Sequence, residues 1–154
     1  ETLIDKKKNK IITKPIAGTF KKKYSSNKNI ALKYFKNNEK ETKEHNMIVD
    51  MERNDLSKIC KPGSVKILKK KYVEEYKHLY HYVTSIAGRI KKNISVKEII
   101  TAMMPGGSVI GCPKIKTLHL LNSQEKEDRN IFTGSFGFIK FNQEKKIYIT
   151  KKIV

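Results

Sequence analysis

The stretch Glu44-His45-Asn46-Met47-Ile48-Val49-Asp50-Met51-Glu52-Arg53-Asn54-Asp55 decides how this chain is read. It closes a run from about Ile30 to Asp55 that is rich in Lys, Glu and other helix formers and holds no Gly or Pro, so the run predicts a helix. Met47, Ile48 and Met51 fall at i, i+1 and i+4, which turns one face of its second half apolar. Glu41 and Glu44 lie three residues apart and share a face one turn ahead of that stripe. Two neighbouring carboxylates repel each other, and the pairing predicts a cation between or beyond them. On spacing alone the pair equally describes a solvated helix face with ordinary Glu–Lys pairs. Asp50, Arg53, Asn54 and Asp55 read as scaffold that caps the helix end and fixes the following turn.

On the N-terminal side, Leu3-Ile4, a lysine-rich turn and Ile11-Ile12-Thr13 predict a hairpin closed by Pro15 and Gly18, and Phe20 to Asn29 reads as a polar, basic loop. On the C-terminal side, Pro62-Gly63 marks a turn, Val65 to Leu68 a short strand, and the aromatic and β-branched run Tyr72 to Ala87 a strand of period two. Ser95 is placed to cap a helix over Val96–Met103, with Glu98 at the capping-box position. Pro105-Gly106-Gly107-Ser108 predicts a tight loop, Pro113 to Leu121 a second short helix, and Phe132 to Ile153 two strands around Asn142-Gln143.

With 34 Lys and Arg against 15 Asp and Glu, the net charge is +19, which first suggests nucleic acid. The cations are mostly Lys, spread in short runs among Asn and Ile, and no nucleic-acid-binding motif accompanies them; a solvated lysine surface is the simpler reading. Such a field would also draw in a small dianionic substrate. Cys60 and Cys112 are far apart, with no CxxC pair and no His at metal-ligand spacing, so neither a disulfide framework nor a zinc site is indicated and a reducing cytoplasm is expected. No apolar run has the length of a transmembrane span, so no membrane partner is expected.

Taken in order, Pro15-Ile16-Ala17-Gly18-Thr19, the run from Glu44 to Ser64, His78 to Gly88, Pro105 to Lys114 (PGGSVIGCPK) and Gly134-Ser135-Phe136-Gly137-Phe138 resemble the chorismate-binding enzymes, the family of anthranilate and aminodeoxychorismate synthases. The resemblance implies an α+β fold with antiparallel β sheets in a sandwich and flanking helices. The enzymes are much longer than this chain, so residues 1–154 are expected to be a partial chorismate-binding catalytic domain without its N-terminal portion, glycine-rich loop and C-terminal metal-binding helix. It further implies Mg2+, chorismate, and ammonia from a glutamine amidotransferase.

Residue by residue, Glu44 matches the family's Mg2+ ligand and Glu41 the acid that holds the metal's waters, in keeping with the preference of Mg2+ for hard oxygen donors. Glu1 matches the general acid for loss of the ring hydroxyl, and His81 a histidine near the ring that handles a proton or orients substrate. The substrate-binding set is Ala17, Gly18, Thr19, Ser108, Phe132 and Thr150. Ser108 corresponds to the loop hydroxyl that binds a substrate carboxylate. Ala17 stands where some aminodeoxychorismate synthases carry a nucleophilic Lys, so ammonia is expected to attack the ring directly. Two positions depart from the pattern. Phe132 replaces a Tyr, and Thr150 stands where an Arg clamps a carboxylate, with Lys151 or Lys152 as the only nearby cations. His45, His78 and His119 read as structural or surface residues. The sequence PGGS with IGCPK favours aminodeoxychorismate synthase component I over anthranilate synthase component I, while a basic nucleic-acid module and an inactive remnant are the readings of other classes.

Overall fold

In the computed structural model, residues 1–140 and 146–151 are described, with the side chains of 150 and 151 left outside that description. β1 (Thr2–Lys7) and β2 (Lys10–Lys14) form the expected hairpin, turned at Lys8, whose φ is +54°. β3 (Ile16–Lys21) follows at once. β2 and β3 run one after the other along the same edge of β5 (Leu79–Arg89), pairing Ile12 with Ala87 and Ile16 with Val83. Pro15 interrupts them because it has no N–H to give, and its carbonyl instead accepts from the Thr84 amide at 3.3 Å. The other edge of β5 carries β4 (Lys66–Glu75). Beyond β1 the sheet continues through β7 (Lys146–Lys151) to β6 (Ser135–Lys140), and every pairing is antiparallel. The α+β class is as expected; the described strands form a single sheet.

The long helix read from sequence is two helices, α1 (Lys28–Asn37) and α2 (Glu39–Ile59). Asn38 breaks it: its side chain accepts from the Glu41 amide at 3.2 Å and caps α2, while its own N–H closes α1. α2 also runs past Asp55 to Ile59, so Asp50, Arg53, Asn54 and Asp55 do not cap a helix end; they lie inside it. The buried residues His45, Ile48, Val49, Glu52, Asp55, Leu56 and Ile59 repeat at the period of a helix face packed on the sheet. Leu56 joins Leu3, Ile4, Ile86, Ile99 and Ile149 in the main core, and a smaller cluster gathers Ala31, Phe35, Tyr80 and Tyr82 under α1.

Three further boundaries differ from the sequence reading. The strand over Tyr72–Ala87 is a hairpin, because the chain reverses at Tyr76–Leu79 with the Tyr76 amide bonded to the Leu79 carbonyl at 2.9 Å. The loop over Phe20–Asn29 is shortened by β3 and by α1, which Asn27 caps with 3.0 Å bonds from the Asn29 and Ile30 amides. Ser108 sits on a one-turn helix, α4 (Gly107–Ile110), which precedes α5 (Lys114–Gln124). α3 (Val96–Met103) is as expected, and both capping-box bonds between Ser95 and Glu98 are present. Asn142 and Gln143 lie outside the described residues. Among those described, no helix is long and apolar enough to cross a membrane.

Candidate substrate site

The first turns of α2 position two groups of candidate residues. One faces a cavity of about 880 Å3, of the size that small-molecule sites occupy, between α2 and α4. Glu44, Met47 and Met51 line it from the helix, and Ser108 and Cys112 from the segment after α3. Gly107 comes close enough to α2 that an added Cβ would stand 3.0 Å from the Met51 sulfur, so the glycine is what lets α4 seat on the helix. Glu44 and Ser108, distant in sequence, therefore share one wall-to-wall space. Lys40 and Lys43 line it as well. Lys43 is held by Glu39 at 2.7 Å, whereas neither Glu41 nor Glu44 makes an ion pair among the described residues.

The second group lies on the sheet side. Gly18 has φ +105°, and a Cβ there would stand 2.9 Å from Oε2 of Glu41 and from the Phe35 ring, so the Glu41 carboxylate rests directly on the Gly18 backbone. Thr19 and His81 are paired across β3 and β5, with Oγ1 3.1 Å from Nδ1. Burial lowers the His81 pKa, against the hydrogen bond the ring donates to the Gly18 backbone, so the ring is neutral near pH 7.

Beneath both groups lies His45, fully buried, with Nδ1 3.2 Å from the Ala17 carbonyl and Nε2 2.7 Å from the Thr84 hydroxyl. A carbonyl can only accept, so Nδ1 carries the hydrogen and Nε2 accepts from Thr84. His45 thus ties the strand bearing Ala17, Gly18 and Thr19 to α2, and desolvation keeps its pKa below the usual value.

The structure does not bring every candidate together. Glu1 begins the sheet beside Glu52, whose acidity its charge affects, and it does not line the cavity. Phe132 is 54% exposed and lies outside the cavity lining. The backbone of Thr150 pairs with Thr2 and Phe136; its side chain, that of Lys151 and all of Lys152 are outside the described residues. Sequence reasoning missed Lys114 and the buried role of Asp55. The Lys114 ammonium meets Oδ2 of Asp55 at 2.5 Å and the Ala102 carbonyl at 3.2 Å. A signal existed only in the oddity of an Asp at a buried position of the α2 face.

As a metal site the arrangement is incomplete on its own. Among the described residues no group of three or more His, Cys, Asp or Glu side chains converges on one point. Glu41 and Glu44 are nonetheless hard oxygen donors one turn apart, with no ion pair to either among the described residues, which fits an ion such as Mg2+ that retains several waters.

The family model for chorismate binding enzyme matches residues 1–150, and the chain belongs to that family. It is 36% identical over 145 residues to aminodeoxychorismate synthase component 1 of Bacillus subtilis, covering 94% of this chain and 31% of that protein. It is 36% identical over 140 residues to anthranilate synthase component 1 of Saccharolobus solfataricus, covering 90% of this chain and 33% of that protein. The solved structure of anthranilate synthase component I from Streptococcus pneumoniae superposes with a TM-score of 0.81 at 28% identity, over 98% of this chain and 32% of that one. The chain therefore spans about a third of the length of the relatives it matches.

Proposed function

We propose that this chain is the central part of an aminodeoxychorismate synthase component I, an enzyme that replaces the C4 hydroxyl of chorismate by ammonia. The observation that carries this reading is that Glu44 and Ser108 line one cavity, an acid for a metal and a hydroxyl for a carboxylate. Glu44, with Glu41 behind it, would hold Mg2+, which when bound supplies a Lewis-acidic anchor for the ring carboxylate. Ser108 donates to a substrate carboxylate, and the glycines beside it keep the backbone close. Lys40 and Lys43 in the cavity lining draw the dianion inward.

On the sheet side, the neutral His81 imidazole, oriented by Thr19, accepts or positions a proton. By the family resemblance Glu1, which lies at the start of the sheet and outside the cavity lining, would protonate the departing hydroxyl, which leaves as water as the C4–N bond forms. Ala17 offers no nucleophile, so ammonia adds to the ring without a covalent enzyme intermediate. That ammonia comes from a glutamine amidotransferase, and the enzyme works in the cytoplasm. Pro105-Gly106-Gly107-Ser108 with Ile110-Gly111-Cys112-Pro113-Lys114 favours this member over anthranilate synthase.

Full-length protein supplied with chorismate, Mg2+ and an ammonium salt at alkaline pH should yield aminodeoxychorismate by mass spectrometry. Anthranilate as the product would reject this member of the family, and isochorismate or salicylate would reject amination altogether.

A further inference from the structure

The segment between α3 and α5 carries Ser108 and Cys112, yet it contains only a single turn of helix and its residues at 108 and 112 are exposed. What holds it in place is a set of long-range contacts. Lys114, at the start of α5, reaches back to the Ala102 carbonyl at 3.2 Å and so pins the two ends of the segment to each other. The same ammonium meets Oδ2 of Asp55 on α2 at 2.5 Å, and Lys58 meets Oδ1 at 2.8 Å. The Asp55 and Lys114 side chains are 3% and 14% exposed, so this is a shielded ion pair and not a surface one. Glu44, Ile48, Met51 and Asp55 follow one another at helical spacing along a single stripe of α2. That stripe meets, in order, the cavity, the seat of Gly107 on Met51, and Lys114.

We infer that Lys114 and Asp55 are positioning residues: their ion pair sets the register of the Ser108-bearing segment on α2, and with it the gap between Ser108 and Glu44 that receives the substrate carboxylate. Lys114 closes the segment upon itself and anchors it one helical turn beyond Met51, so Ser108 cannot slide along α2 without breaking the pair. Asp55 is the α2 carboxylate that the Lys114 ammonium meets directly, so their ion pair is what opposes sliding. The part of this inference that concerns substrate rests on the chorismate reading above; the clamp itself does not.

The full-length protein and two variants, Lys114→Met and the doubly neutral Asp55→Leu/Lys114→Met, separate the two. Lys58 still pairs Asp55 in the single variant, and the double variant removes the buried carboxylate together with its partner, so both keep their fold. In both, hydrogen exchange over residues 106–111 should rise at least tenfold, including at the Gly111 amide, now bonded to the Gly107 carbonyl at 2.7 Å, while α2 stays protected. KM for chorismate should rise roughly ten- to a hundredfold, with a smaller change in kcat. A folded double variant with wild-type exchange over 106–111 overturns the clamp, and one with loosened exchange but wild-type KM overturns its role at the substrate. A wild-type protein that neither binds nor converts chorismate removes the functional reading alone, since exchange still decides the clamp.

Discussion

Replacing Glu52 by glutamine should make the protein more stable at pH 8 and change how its stability depends on pH. Glu52 is 1% exposed on the inner face of α2, with Oε2 accepting from the Thr13 hydroxyl at 3.2 Å. Burial, then the charges of Glu1 and Asp55, push its pKa from 4.5 to about 7, against smaller opposing effects of Thr13 and Lys114. At about 1.4 kcal/mol per unit, that shift corresponds to roughly 3 kcal/mol of native-state cost for the ionised form. Between pH 4.5 and about 7 the folded protein holds a proton that the unfolded chain has released, so stability falls as pH rises through that window and is level above it. Glutamine keeps the acceptor for Thr13 and has no charge to bury. Urea unfolding of both proteins from pH 5 to 8 should give a stability difference that favours Glu52→Gln, grows with pH, and levels off near 3 kcal/mol. Histidine titrations, including that of His45, occur in both proteins and cancel in the difference. Parallel curves at all pH values would show that Glu52 is not held protonated by burial.

Three other perturbations follow from the geometry. Gly18→Ala puts a Cβ 2.9 Å from the Glu41 carboxylate at a φ of +105°, so it should displace Glu41 and weaken Mg2+-dependent chorismate binding by at least about tenfold, read by titration calorimetry. His45→Phe leaves the Ala17 carbonyl and Thr84 hydroxyl without their partner and should cost about 2–4 kcal/mol in urea unfolding. It should also flatten the acid limb, because a buried His with a lowered pKa gives stability that is present above its ordinary 6.5 and lost as pH falls. Leu56→Ala empties a fully buried position and should cost about 2–5 kcal/mol with an unchanged m-value.

Features encoded within a few residues were legible in the sequence. The Ser95–Glu98 capping box places α3 because all four positions needed for it are adjacent in the chain. Where boundaries moved, the cause lay elsewhere in the fold or in a residue with two uses. Asn38 sits in a lysine- and glutamate-rich run that propensity extends as helix, yet its amide group caps a new helix instead. Asp55 reads as a helix-ending residue, and Lys114, fifty-nine positions away, turns it into a buried helix-interior one. The Tyr76–Leu79 reversal contains no Gly or Pro, and so its strand pattern continues through the turn. Of the site, Glu41, Glu44, Gly18 and Ser108 were legible through the resemblance of their blocks, while their grouping into a cavity and a sheet-side cluster depends on packing that no local pattern records.

The proposed function requires that Glu44 and Ser108 together form a Mg2+-dependent chorismate site. Calorimetric titration of chorismate into the full-length protein, with Mg2+ and with EDTA, and repeated for Glu44→Gln, tests it most directly. Saturable binding that needs Mg2+ and falls by tenfold or more in the variant is expected, at the scale of losing a metal contact. Binding that is indifferent to Mg2+, or equal in Glu44→Gln and the unaltered protein, would contradict it.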